Sequence, residues 1–136
     1  MKSKIPFIAA AFIIGGLGYA GIELLWRGRT HWSMIITGGI CMSILFMIFE
    51  KHGEIGIIFS GLIGTVVITF VEFLVGCIVN IWLGLKIWDY SDQKWNLMGQ
   101  ICPLYSFFWC ILSIPVSKIC IRLNNLYDNL NSLKSR

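Results

Sequence analysis

The chain has 136 residues, of which 57% are hydrophobic and 13% charged, with a mean hydropathy of +0.77 and a formal net charge of +4. A soluble domain carries about 25% charged residues, so this composition excludes one and indicates an integral membrane protein. The modest positive balance suits an anionic lipid surface and needs no nucleic acid to explain it.

A single crossing takes about 20 mostly apolar residues, and four segments meet that demand: 6–26, 33–49, 55–82 and 103–121. They predict an all-α fold, a polytopic bundle of about four transmembrane helices forming one domain over 1–123. The first segment, Pro6 to Trp26, has Lys2 and Lys4 before it and Arg27 and Arg29 after it. Its apolar run exceeds the roughly 7–15 residues of a signal-peptide core, so it is expected to be retained despite "GYA" before Gly21. Gly16, Ala20 and Glu23 fall at i, i+4 and i+7, with Arg27 one turn further, and Gly15, Gly18 and Gly21 widen the small surface. The second segment, Ser33 to Phe49, is near the lower length limit.

The third segment starts at Ile55 and stays apolar as far as Lys86, longer than one perpendicular crossing requires. It is expected to tilt or to end in an interfacial stretch near Trp82. Gly61, Thr65, Thr69, Glu72, Gly76, Asn80 and Gly84 recur along it at helical spacing, one small and polar face opposite Val66, Val67, Phe70, Val71, Phe73, Leu74 and Val75, residues suited to lipid or to other apolar helices. Small residues allow close helix approach, and Thr or Asn can bond across it, so this face should point into the bundle. An ionised carboxylate at the bilayer centre costs about 3 kcal/mol on insertion scales, so Glu72 and Glu23 should face inward, pair, or carry a proton. Intramembrane acids are candidates for a functional site by default, though the same residues could serve only to register helices. Gly16, Ala20, Gly61 and Gly76 read as helix-packing positions.

An interfacial loop follows over 86–99, in which Trp88, Tyr90 and Trp95 punctuate Asp89, Ser91, Asp92, Lys94 and Asn96. It reads as a headgroup-level turn whose short polar side chains bond nearby backbone, or as the lining of a vestibule able to hold a cation or an amine headgroup. The fourth segment, Pro103 to Ile121, contains Pro115, expected to kink it unless neighbours satisfy the freed carbonyl. In the tail, 124–136, Leu126, Leu130 and Leu133 continue a stripe begun at Leu123, predicting a short amphipathic helix lying along the cytoplasmic membrane face, or a partner-docking segment. With a cytoplasmic N-terminus, the inner loops and ends hold Lys2, Lys4, Lys51, Lys118, Arg122, Lys134 and Arg136; the outer ones hold Arg27, Arg29, Lys86 and Lys94. That bias of seven against four favours N-in and C-in, with a dual or inverted topology as the alternative.

Chemistry-bearing motifs are few. Cys41, Cys77, Cys102, Cys110 and Cys120 lie in or beside apolar segments without the close pairs that hold metals, so they read as small core hydrophobes. The two histidines, His31 and His52, sit in separate loops, and no GxxxxGK phosphate loop is present. No metal, cofactor or catalytic set is therefore expected, and the chain does not read as an enzyme.

Three stretches resemble a known group: "GYAGIELLWRGRTHWSMIITGG", "VEFLVGCIVNIWLGL" and "WDYSDQKWNLMGQIC". They are similar to the small bacterial membrane proteins named putative ABC-transporter permeases, over roughly Gly18 to Trp109, with the tail from Asn124 uncovered. By that resemblance Glu23, Arg27, Gly28, His31, Trp32, Gly38 and Gly39 match the first motif, and Glu72, Gly76 and Asn80 the second. Trp88 to Ser91, Asn96, Gly99 and Cys102 match the third. The resemblance implies a multi-pass transport component of the bacterial cell membrane that needs a separate ATPase subunit and forms a homo-oligomer.

The leading expectation is thus a permease-like component with an inward polar seam. Its substrate- or ion-binding candidates are Glu72, Glu23, Asn80, Thr69 and Arg27, with Asp89, Tyr90, Ser91, Asp92 and Asn96 at one mouth. The alternative is a non-transporting accessory protein whose small-residue faces dock a membrane partner or hold a membrane lipid.

Overall fold

The computed structural model describes residues 3–136; Lys2, counted above among the inner cations, lies outside the described residues. Four helices, α1 (Ile5–Arg27), α2 (Trp32–His52), α3 (Ile57–Gly76) and α4 (Pro103–Lys134), account for the apolar segments, and each is long and apolar enough to cross a membrane. Large apolar side chains on their outer faces, among them Leu17, Leu25, Ile58, Val66, Phe70 and Phe107, are exposed. An apolar exterior of this kind is what hydrocarbon solvates.

Local signals set the boundaries. Pro6 stands in the first turn of α1, where its missing N–H costs nothing, and Gly28 ends the helix at φ 71° with its amide on the Leu24 carbonyl. His31 caps α2 through Nδ1, which accepts from the Ser33 amide at 3.3 Å. Pro103 opens α4 in the same way that Pro6 opens α1.

The third apolar run is helical as far as Trp82, but not α-helical throughout. At Cys77 its α-helical ladder widens into a π-helical turn over Cys77–Trp82, after which the chain leaves helical geometry; the Leu83 amide reaches back to the Ile78 carbonyl at 2.9 Å. Gly84, counted in the polar stripe, therefore lies beyond the helix, and the stripe ends at Asn80. The fourth crossing also differs: α4 runs unbroken through Pro115 and on to Lys134. At 1.5 Å per residue its 32 residues span about 48 Å against about 30 Å of hydrocarbon, so the last turns emerge as a rigid extension of the crossing helix. The face of that extension turned to the bundle carries Asn124 and Tyr127, while Leu126, Leu130 and Leu133 are exposed.

Helix α2 is the most enclosed element, with Thr37, Leu45, Phe46 and Phe49 fully buried. It meets α1 through glycines. A Cβ at Gly38 would stand 2.5 Å from both the Gly15 carbonyl oxygen and Tyr19 Cβ. Gly16 lies as close to Ile35, and Gly61 of α3 lies against Cys110 of α4. Gly18 and Gly21 face open space instead, so they do not extend the helix contact. The core has two lobes. One, around Phe46, Phe49, Leu45 and Cys120, fills the end that holds the chain termini; the other, around Tyr19, Val79, Trp88, Tyr90 and Trp109, fills the end capped by the irregular loop. At the first end Lys4 pairs with Glu50, fixing the start of α1 to the end of α2.

Because the atoms facing Gly38 include backbone that cannot move aside, Gly38→Ala should lower stability by about 1–3 kcal/mol. Gly21→Ala, with nothing to meet, should be neutral or stabilising by up to about 1 kcal/mol from helix propensity. Denaturant unfolding of the purified protein in mixed micelles measures both; equal losses would show that the α1–α2 approach is looser than described.

Candidate functional site

Glu72 is the hub of the loop-side lobe. It sits on α3, one turn before the helix widens, and only 2% of its surface is exposed. Its Oε1 accepts hydrogen bonds from the Tyr19 and Tyr90 hydroxyls, each at 3.3 Å, and its Oε2 accepts from the Trp109 indole N–H at 2.9 Å. The three donors come from α1, the loop and α4, so one carboxyl group joins every element around it except α2. Among the described residues no cation lies within ion-pairing distance of it. Neutral donors thus do the work that a positive partner would do elsewhere. Tyr90 stacks on Tyr105 with centroids 4.4 Å apart, and Tyr19 lies 5.6 Å from the Trp109 ring. Burial, and next the neighbouring carboxyl of Glu72, push the Tyr90 hydroxyl above its usual range.

Above this group the loop is bound to the end of α3. The Asn80 amide nitrogen donates to Gln100 Oε1 at 2.8 Å, and Asn80 Oδ1 accepts from the Ile87 amide at 2.7 Å. The Trp88 indole donates to the Gln100 carbonyl at 3.0 Å, and the Gln100 side chain donates to the Met98 carbonyl at 2.9 Å. A Cβ at Gly76 would stand 2.6 Å from Gln100 Oε1 and 2.9 Å from Trp88, so glycine is what lets the loop descend onto the helix. Widening of the helix after Gly76 brings Asn80 to the position where the loop needs a donor and an acceptor.

The other candidates separate from Glu72. Glu23 pairs with Arg27 one turn away, Oε2 to Nε at 3.5 Å, and Arg27 also donates to the Ile87 carbonyl at 3.2 Å. Thr69 exchanges a hydrogen bond with Ser106 of α4 at 3.0 Å, and Thr65 turns back to its own helix at Gly61. Asp89 accepts from both the amide and the hydroxyl of Ser91, and Asn96 bonds the Ser91 and Gln93 carbonyls and the Gly99 amide. Asp92 is exposed. Asp89 and Asn96 therefore organise the loop itself, and Tyr90 is the one member of that group that reaches Glu72. Ala20 is buried on α1 and Gly16 meets α2. Tyr19, Trp109, Gln100 and the inward role of Trp88 are additional to the sequence reading. A buried stripe on α4, Trp109, Ser113, Ser117, Cys120 and Asn124, carries the helical spacing that could have revealed the α4 side.

The family described as Putative ABC-transporter type IV matches residues 24–134, and the chain belongs to that family. The match begins one residue after Glu23 and extends through the C-terminal helix, which the three sequence motifs do not cover. With four membrane-length helices, the chain is a transport-related multi-pass membrane protein. No curated protein and no solved structure matches it.

Removing one donor leaves a buried carboxyl partly unmatched. Tyr19→Phe and Tyr90→Phe should each cost about 1–3 kcal/mol in micelle unfolding, with Trp109→Phe costing more because it also leaves a void. Wild-type stability in all three would mean that the carboxyl is not held as described. The loop offers a pH test. Its hydrogen bonds to Ser91 hold the Asp89 carboxyl below the usual carboxylate range. The turn should therefore persist above the ordinary aspartate pKa and be lost only as pH falls through the lowered value. Ser91→Ala should move the Asp89 titration upward in a carboxyl-carbon NMR experiment; an unmoved midpoint would exclude Ser91 as the cause.

Proposed function

We propose that the protein is the membrane-spanning, permease-like component of an ATP-driven transporter. It sits in the bacterial cell membrane with both termini cytoplasmic, works with a separate ATPase subunit, and assembles with copies of itself. Family membership supports the class of function. The observation that carries the mechanism is the attachment of three elements to one intramembrane carboxyl group, Glu72.

In this reading Glu72 acts as a latch. Its surface is enclosed, so it does not line an open route in the state described; it holds α1, α4 and the Tyr90 loop together. Any event that strips Oε1 of Tyr90 loosens the Tyr90 segment of the loop, which stays tethered to α3 through Asn80, while Trp109 keeps Oε2 occupied. A two-state element of this kind is what a transport cycle needs, because binding energy spent on one side must change access on the other. Glu23 and Arg27 stand at the surface end of the same flank, where a polar cavity of about 180 Å³ opens beside them. Asn80 and Thr69 bind the moving parts to α3, and the emergent end of α4 provides a rigid lever on the termini side for the ATPase.

The chain should therefore copurify from native membranes with an ATPase subunit, and the complex should hydrolyse ATP in proteoliposomes. Glu72→Gln should leave the complex assembled but lower its turnover roughly tenfold, within the range of an ordinary coupling free energy. An ATPase-free chain from native membranes would overturn the transporter reading. Full turnover from both Glu72→Gln and Glu72→Ala would remove the latch alone.

A further inference from the structure

Three cavities along α1 share lining residues, two of them between α1 and α4 and one at the end of α1 beside the turn into α2 and the start of the loop. The first, about 260 Å³, is apolar and runs past Ile14, Gly18, Ile22, Trp109 and Leu112. A second, about 290 Å³, shares Ile22, Trp109 and Leu112 with it and adds Trp26, Tyr105 and Phe108. The third is the polar cavity already described, which shares Glu23 and Arg27 with the second and adds Arg29, His31 and Lys86. Gly18, which meets nothing across the bundle, is small where the first cavity needs room.

We infer that these adjoining cavities together bind an anionic phospholipid, with its phosphate at Arg27, Arg29 and Lys86 and an acyl chain along Ile22, Phe108 and Leu112. Charge argues for the head. Three cations face the polar cavity against one carboxylate, Glu23, which is engaged by Arg27. Arg29 and Lys86 form no salt bridge among the described residues, their nearest influences being on Glu23 and Asp89, and both are exposed. Basic pockets between membrane helices recognise lipid head groups in this way. Dimensions argue for the tail. From Ile14 to Trp26 the cavities follow α1 for about 18 Å at 1.5 Å per residue, slightly more than the roughly 15 Å of hydrocarbon in one leaflet. The level is also right: exposed Trp26, Trp32, Trp82 and Trp95 gather at the loop end, where indoles mark the headgroup boundary. This site stands apart from the ATPase-linked reading, since lipid binding is measured on the chain alone.

The test uses the purified full-length protein in a neutral detergent. It is titrated with phosphatidylglycerol, with phosphatidylcholine of the same chains, and with inorganic phosphate, and bound molecules are counted by native mass spectrometry. Phosphatidylglycerol should bind at least about tenfold more tightly than phosphatidylcholine, a difference of about 1.4 kcal/mol. Arg29→Gln combined with Lys86→Gln should erase that preference; both side chains are exposed, so the fold should tolerate the change. Lys118→Gln with Arg122→Gln, on α4 toward the termini, should leave the preference intact. Leu112→Gln should weaken both lipids together. Equal affinity for the two lipids, a preference that survives the Arg29 and Lys86 changes, or inorganic phosphate binding as tightly as phosphatidylglycerol would each overturn the assignment.

Discussion

A carboxyl group inside a bilayer has no water to satisfy it, so the protein must supply donors from its own elements, and that requirement shapes half of this molecule. Glu72 draws a tyrosine from α1, a tyrosine from the loop and a tryptophan from α4 onto two oxygens. Each donor is aromatic, so each brings apolar surface together with one polar atom. The rings fill the lobe that the hydrogen bonds organise, and the same residues therefore solve packing and polarity at once. An Arg or Lys could have served as partner, but it would have added a buried ion with its own desolvation cost.

The six tryptophans show how position decides role. Four of them, Trp26, Trp32, Trp82 and Trp95, are exposed around the loop end and suit the boundary between hydrocarbon and head groups. Trp88 and Trp109 are buried, and each donates its indole hydrogen inside the protein. The bundle is thus polarised along its axis. Its termini end is closed by aliphatic and phenylalanine packing and by the Lys4–Glu50 pair. Its loop end is closed by a hydrogen-bonded cap through Asn80 and Gln100, the kind of structure that can be opened without dismantling the core.

Hydropathy and length were enough to locate four crossings, because a bilayer demands long apolar runs whatever the partners. Helical spacing was enough to indicate that Glu72 shares a face with Gly61, Thr69 and Gly76. What spacing on α3 could not supply was the identity of the donors. Tyr19 and Trp109 are amphipathic rings that fit an interface or a core equally well, and only tertiary contact separates the two. The loop illustrates the same limit. Asp89, Ser91 and Asn96 attract attention as a cluster, yet short polar side chains satisfy nearby backbone first, and here they do. Gln100 looks unremarkable in sequence, because its importance comes from pairing with Asn80 twenty positions earlier. The tail helix was legible from its leucine stripe, but its continuity with the fourth crossing was hidden by a change in composition near Leu123 that alters solvent exposure without altering backbone geometry.

The most direct measurement of the central claim is the indole resonance of Trp109 in protein labelled with nitrogen-15 at tryptophan and held in nanodiscs. A proton donated to the Glu72 carboxyl should be deshielded. It should shift markedly on Glu72→Gln and hardly at all on Glu23→Gln. An indole signal indifferent to the loss of Glu72 would contradict the account.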